Sequence, residues 1–285
     1  MAAGHCFVPG VSWAAESLFA TLFPSDCRLC GTPLVKISRL PVCEDCLSTI
    51  HPIAGGVCSI CGEGLVSIYA GSTSHEEARC GLCQRLPPAF AKAAAYGSYA
   101  GGLRELIHLL KYEQVRPAAN VLGRMLAESI SDLQPSFGSA ELLVVPVPLH
   151  AHKLCLRGFN QAELITRAAL KLKPVGEQLV LNVAVLERRR GTQSQTGLTC
   201  QQRRQNMRGA FAVVKPAEVE GREILLVDDV FATGTTVSEC ARVLRRAGAT
   251  RVWVATVART LKTQATYAIC EAEEEKAAVA MAAHG

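Results

Sequence analysis

Hydrophobic and polar positions change character at about residue 90. Beyond it, short apolar runs alternate with stretches of helical period. Ala91 to Tyr99, small and aromatic, predicts a strand. Gly101-Gly102 then breaks the chain. Leu103, Leu106, Ile107, Leu109 and Leu110 recur at helical spacing around Arg104, Glu105 and Lys111, an amphipathic helix closed by Lys111-Tyr112. Leu122, Met125, Leu126 and Ile130 predict a second helix from Pro117 to Asp132. Glu141 to Val147 predicts a strand whose end Pro146 and Pro148 restrict, since proline donates nothing to a ladder. Asn160 with Glu163 three residues on reads as a helix N-cap, and Leu164, Ile165, Ala168 and Ala169 continue that helix. Gln178 to Leu186, Phe211 to Val214 and Arg251 to Val257 predict further strands.

The most informative stretch is Ile224 to Thr236. Ile224 to Val227 reads as a buried strand of a parallel sheet. Val237 to Ala247 has helical period, and Gly248 ends it as a C-cap would. Asp228 and Asp229 therefore sit at the carboxyl edge of a strand, where ligands bind in open α/β sheets. Between strand and helix, Thr233-Gly234-Thr235-Thr236 offers free backbone N–H groups, a favourable helix dipole and three hydroxyls, which together suit a monophosphate. Gly234 admits close approach of the backbone. Acids beside a phosphate repel it unless they bind sugar hydroxyls or a magnesium ion. A nucleotide P-loop is excluded, because the turn has no lysine and no G-x-x-x-x-G-K-[ST].

Length and charge sharpen the division. A chain of 285 residues suggests about two domains. The formal charge is +5, yet up to Phe90 five Lys/Arg face seven Asp/Glu, so the basic character belongs to the second part. No run reaches the roughly 18 apolar residues of a membrane span. Met1 to Pro24 lacks the cationic start of a signal peptide and reads as a short helix packing Trp13, Leu18, Phe19 and Leu22, or as a frayed end. A cytoplasmic protein without membrane insertion is expected.

Nine of the thirteen cysteines precede residue 84, and eight of them form four C-x-x-C pairs: Cys27/Cys30, Cys43/Cys46, Cys58/Cys61 and Cys80/Cys83. Without a secretory signal, metal is favoured over disulfides. Each pair clasps one side of a tetrahedral zinc, and two pairs complete a closed, structural Cys₄ site. Gly31 and Gly62 follow their knuckles and Gly81 lies inside one, as tight turns need. Sequential pairing (first with second, third with fourth) is simplest; crossed pairing is the alternative. Cys6, Cys155, Cys200, Cys240 and Cys270 are left over, mostly as buried inert thiols, with Cys200 in a polar segment. Leu86 to Phe90, with two prolines, reads as a linker.

Two basic segments remain. His150, His152, Lys153 and Arg157 precede the Asn160 helix, in a turn that suits pyrophosphate. Glu187 to Arg208 carries six arginines against one acid around the polar centre Thr192 to Thr199. A long polar loop in a compact domain is functional or disordered. Clustered arginine also suits nucleic acid, although no aromatic interrupts it to stack bases.

The strand, acid pair and Thr-rich loop resemble the phosphoribosyl pyrophosphate signature of type I phosphoribosyltransferases. The whole chain resembles the ComF family of competence proteins. The matching pieces are the four C-x-x-C pairs, Leu109 to Tyr112, Val145 to Leu149, Arg157 to Leu164, Gln195 to Leu198 and Val227 to Thr236. The resemblance implies an α/β fold: a double zinc ribbon over 25–86, then a Rossmann-like type I phosphoribosyltransferase domain with a parallel sheet core over 91–262. Segments 1–24 and 263–285 flank them. It implies ribose contacts for Asp228 and Asp229, and 5-phosphate contacts for Ala232, Thr233, Gly234, Thr235 and Thr236. His150, Lys153 and Arg157 would bind pyrophosphate, with Mg²⁺ on that group, two structural Zn²⁺ in the ribbon, and the arginine-rich loop closing over the site. The implied reaction transfers phosphoribosyl from phosphoribosyl pyrophosphate to an unidentified nitrogenous acceptor; no catalytic base is assigned. The alternative is a non-catalytic sensor of phosphoribosyl pyrophosphate or a nucleotide that binds a competence helicase or single-stranded DNA. A ribbon this small needs its metal to fold. Chelating zinc should therefore unfold residues 25 to 85 and leave the sheet domain folded, which circular dichroism before and after chelation would report.

Overall fold

The computed structural model describes residues 25–34, 38–65, 78–138, 141–176, 178–191, 202 and 206–261. The expectations for Met1 to Pro24, the loop centre Thr192 to Thr199, the tail 263–285, and Cys6, Cys200 and Cys270 lie outside the described residues.

Five parallel strands form the sheet, in the order β1 (Lys92–Ser98), β7 (Arg251–Arg259), β6 (Glu223–Phe231), β2 (Leu142–Pro146), β3 (Leu179–Leu181). The period-two alternation of the central strands sorts their side chains into two layers. Leu225, Val227, Trp253 and Ala255 face α3 (Gly101–Tyr112), α4 (Ala118–Leu133) and α6 (Gln161–Leu170). Ile224, Leu226, Val252 and Val254 face α7 (Thr235–Arg246). Both faces are covered, which is why the central strands read as continuous apolar runs. The short antiparallel pair β4 (Leu186–Arg188) and β5 (Phe211–Val213) packs in the α7 layer.

Several elements depart from the sequence reading. Gly101-Gly102 does not break the chain but begins α3. Gln178 to Leu186 is not one strand: Leu179–Leu181 joins the main sheet, and Leu186–Arg188 the small one. β6 does not stop at Val227 but runs through both acids to Phe231, in register with β7 as far as Arg259. The basic turn after β2 folds as a helix, α5 (Ala151–Arg157), ended by Gly158 at φ 74°.

The ribbon is not a separate bead on a linker. Its second and fourth knuckles sit on short helices, α1 (Glu44–Ser48) and α2 (Gly81–Arg85), so Gly81 begins a helix rather than making a turn. Gly31 and Gly62, at φ 76° and 70°, do make the left-handed turns expected of them. The ribbon straddles the exposed edge of β1. Ile53 N donates to Tyr96 O and Ala93 N to Ile60 O, each at 2.7 Å, so the edge strand is capped by hydrogen bonds. The Cys27 half packs into the α3/α4 layer through Leu40, Val42 and Ile50. The Cys58 half packs into the α7 layer. Phe90, in the supposed linker, is buried edge-on against Phe231.

This shared core revises the chelation expectation. Loss of zinc should still leave the parallel sheet folded, but it uncovers the β1 edge. Calorimetry should show the sheet domain melting several degrees lower in the chelated sample. Packing also reverses the usual effect of removing a helix glycine. A Cβ on Gly123 would lie 2.6 Å from Ala168 Cβ, where α4 crosses α6. Gly123→Ala, favourable in an open helix by about 1 kcal/mol, should instead destabilise by roughly 1–3 kcal/mol in urea unfolding.

Candidate functional site

Consecutive residues of a strand point to opposite faces, and this decides the fate of the acid pair. Asp229 follows Leu225 and Val227 onto the α3 side, where Lys111, in the last turn of α3, meets it. Their N–O distance is 2.7 Å, with side chains 15% and 5% exposed. Burial pulls the Lys111 pKa down, but the charge and hydrogen bond of Asp229, with the Asp228 charge beside them, together outweigh it and raise the Lys111 pKa. Asp228 follows Ile224 and Leu226 onto the α7 side, towards Cys240 and Arg188. Burial, then the Asp229 charge, pushes the Asp228 carboxyl up to about 7, against the pull of Lys111 and Arg188. Its Oδ1 accepts from Asp229 N at 2.9 Å. The pair is therefore not a bare dianion near neutral pH, and an anionic ligand beside it meets little repulsion.

Beyond β6, Phe231 leads into Ala232-Thr233-Gly234-Thr235-Thr236. Gly234 is the N-cap of α7 at φ 74°, a conformation few side chains adopt. It also lies on the Phe231 ring, where an added Cβ would come within 2.6 Å of Phe231 Cζ. The Thr233 and Thr235 hydroxyls share a hydrogen bond of 2.8 Å. Thr235, Thr236 and Val237 open α7, where helix geometry supplies their N–H groups with no partner. The loop thus presents backbone donors and hydroxyls at the positive end of a helix.

α5 carries Lys153 and Arg157. Burial lowers the Lys153 pKa, and so do the charges of Arg188, Arg157 and Lys111; these cations gather at one place. Arg157 donates to Gln161 Oε1 at 2.5 Å and stands 5.6 Å over the Tyr112 ring. His150 caps α5, its Nδ1 accepting from His152 N at 3.4 Å, and its ring lies against Gly191. Lys153 thus stands among Arg157, Arg188 and Lys111, and Lys111 reaches the acids, while His150 caps α5. Two residues of this cluster, Lys111 and Arg188, are absent from the sequence-based set. Lys111 carried a signal: it stands among the buried leucines that end α3. Arg188 did not, since it is one of three consecutive arginines.

The cysteines form two groups, Cys27/Cys30/Cys43/Cys46 and Cys58/Cys61/Cys80/Cys83, each with its sulfurs within 4.8 Å of one another. Pairing is sequential, and the crossed alternative falls. A tetrahedron with arms of about 2.3 Å has edges of about 3.8 Å. Cys27–Cys46, Cys30–Cys43 and Cys61–Cys80 sulfurs are 3.9, 3.7 and 3.7 Å apart, so both groups fit structural zinc. Of the unpaired cysteines, Cys240 is buried as expected, but Cys155 is exposed on α5.

Residues 18–85 match the model of the double zinc ribbon domain, and 163–274 that of the phosphoribosyl transferase domain. The DNA utilization protein YhgH of Escherichia coli (strain K12) is 31% identical over 241 residues, 84% of this chain and 98% of that one. Competence protein F of Haemophilus influenzae is 30% identical over 224 residues, 76% and 96% of the two chains. The chain belongs to the ComF family. Competence protein ComFC of Bacillus subtilis, at 24% identity over 208 residues, covers 73% of this chain and 79% of its own. The family's fold is the one observed: a zinc ribbon on a type I phosphoribosyltransferase sheet. Among the described residues no helix is long and apolar enough to cross a membrane.

The site's charges carry a stability signature. The folded pKa of Asp228 lies above its ordinary 3.8. Stability from this group is therefore present below about pH 4 and is lost as the pH rises through about 7. Asp228→Asn should stabilise the ComF-family chain by roughly 1–3 kcal/mol at pH 8, and the gain should vanish below about pH 4 in urea titrations. Lys111→Met has the opposite sign: leaving Asp229 buried without its cation should cost about 3 kcal/mol at pH 7.

Proposed function

We propose that the site binds phosphoribosyl pyrophosphate and transfers its ribosyl phosphate to a nitrogenous acceptor. The observation that supports this reading is the charge-compensated acid pair of β6, followed by a helix start with free backbone donors and joined through Lys111 to a cluster of cations. Asp228 and Asp229 accept the ribose 2′- and 3′-hydroxyls. Ala232 to Thr236 hold the 5-phosphate through backbone N–H groups and threonine hydroxyls. Lys153 and Arg157, with Arg188 beside them, take the pyrophosphate, and His150 fixes the start of α5 that presents Lys153. A Mg²⁺ ion fits the same reading, because the pyrophosphate and the Asp228 carboxylate are hard oxygen ligands; when bound it would neutralise charge on the leaving group.

The chain's own part is positioning and charge stabilisation. As the C1–O bond to pyrophosphate breaks, its electron pair leaves with the pyrophosphate, where the α5 cations stabilise it. The ribosyl cation that develops at C1 lies near the negative charge of the acid pair. The acceptor nitrogen then supplies the electron pair of the new C1–N bond and loses its proton to solvent. Zinc has no place in this chemistry, since four cysteines close each site. The competence role of this family and its partner, a helicase or single-stranded DNA, belong to the same proposal.

Calorimetric titration with phosphoribosyl pyrophosphate, with and without Mg²⁺, tests the reading. Binding should require Mg²⁺ and weaken at least about 100-fold in the Asp228→Ala/Asp229→Ala double variant, the loss of two charge-assisted hydrogen-bonding groups. Equal binding in both proteins would contradict the assignment. Binding without pyrophosphate release across a panel of nitrogenous acceptors would favour the sensor over the enzyme.

A further inference from the structure

Arg259 closes β7, and its side chain leaves the sheet for the ribbon. Nη1 donates to the Cys61 carbonyl at 2.5 Å, and Nη2 reaches the Glu63 carboxylate at 2.7 Å and the Cys61 sulfur at 3.5 Å. The Arg259 and Glu63 side chains are only 4% and 3% exposed. On its other side, the guanidinium carbon stands 4.3 Å over the Phe231 ring. That ring supports Gly234, the left-handed residue of the loop. Zinc knuckle, guanidinium, ring and loop glycine therefore follow one another in direct contact. They form one wall of a cavity of about 510 Å³, bounded on one side by Cys61, Cys80 and Cys83 and on the other by Thr233, Gly234 and Thr235. Asp228 and Asp229 do not line it.

We propose that Arg259 is a positioning residue that makes anion binding at the 232–236 loop depend on metal in the Cys58–Cys61–Cys80–Cys83 site. The inference rests on the phosphate role given above to that loop. Its physical basis is the cost of an uncompensated buried charge. The Cys61 carbonyl, the Cys61 sulfur and Glu63 stand where they do because the knuckle is folded around its metal. Once the knuckle opens, the guanidinium loses these acceptors and turns towards water. The Phe231 ring loses the partner that pins it, and the turn at Gly234 loses its support. The coupling is reciprocal, as any linkage between two binding equilibria must be. An anion that holds the loop also holds the ring, the guanidinium and the knuckle.

Lysine could keep the charge pair with Glu63. It could not at the same time reach the carbonyl and the sulfur and lie flat on the ring, which needs the planar fork of arginine. This separates positioning from charge balance. The zinc-loaded full chain is titrated with a metallochromic chelator, with and without saturating Mg²⁺ and phosphoribosyl pyrophosphate. A Cys27→Ser variant identifies which transition belongs to which zinc site. In the wild type the ligand should tighten the Cys58 site by about 5- to 50-fold, a usual span for coupled sites, and move the Cys27 site less than about twofold. Arg259→Lys should bind two zinc ions and lose the effect, while its ligand affinity falls by the same factor. Phe231→Leu, which leaves every Arg259 hydrogen bond in place, should reduce the coupling in the same direction. If phosphoribosyl pyrophosphate binds the wild type but shifts neither zinc site, the coupling is wrong and the proposed function stands. Coupling of wild-type size in Arg259→Lys also overturns it. No ligand binding in the zinc-loaded wild type overturns both.

Discussion

Two adjacent carboxylates on a buried strand point to opposite layers, so one direct ion pair cannot serve both. The pleat sends Asp229 to the α3 layer and Asp228 to the α7 layer, and each layer answers differently. On one side Lys111 supplies a full charge at 2.7 Å. On the other, burial lifts the Asp228 proton affinity until the acid is only partly ionised near neutral pH. The layers are therefore arranged around an electrostatic requirement as much as around apolar burial. α3 must place Lys111 in its last turn, and Arg188 on β4 must come in over the α7 side. The loop directly after β6 shares this constraint, because two free carboxylates would set a strong negative field beside the start of α7.

The ribbon answers a different constraint. β1 is the edge of the parallel sheet, and an unpaired edge invites association with another chain. Backbone bonds from Ile53 to Tyr96 and from Ala93 to Ile60 close that edge, while the two metal sites bracket it from opposite faces. The Cys27 site stabilises the α3/α4 layer. The Cys58 site meets the α7 layer, where Arg259 ties it to Phe231, the ring beneath Gly234. The same small module thus covers a sheet edge and touches the carboxyl ends of the central strands.

Local chemistry made much of this legible. Asn160 caps its helix as its sequence context indicates, with Oδ1 accepting from Ala162 N at 3.1 Å. Four C-x-x-C pairs announce two closed metal sites, because two-residue spacing lets one knuckle offer two sulfurs to one ion. What failed was local as well. Gly101-Gly102 looks like a break yet starts α3, because packing against the ribbon outweighs the glycines' low helix propensity. The basic segment after β2 looks like a turn because its polar residues hide a helix of only two turns. Phe90 looks like linker because nothing nearby in sequence reveals that Phe231, far along the chain, completes its contact.

Composition and pattern by themselves determined the class of the chain: a cysteine-rich module with zinc-ligand spacing ahead of a parallel α/β sheet with an acid pair and a Thr-Gly-Thr-Thr loop at one strand's end. These follow from periodicity, spacing and backbone geometry, which act over a few residues. Tertiary structure alone decided how the cysteine pairs associate, that Lys111 neutralises Asp229, and that Arg259 joins a zinc knuckle to the loop. Each joins residues from 13 to almost 200 positions apart, or fixes which of two faces a side chain meets. Such choices depend on strand order and layer packing, which no local pattern encodes.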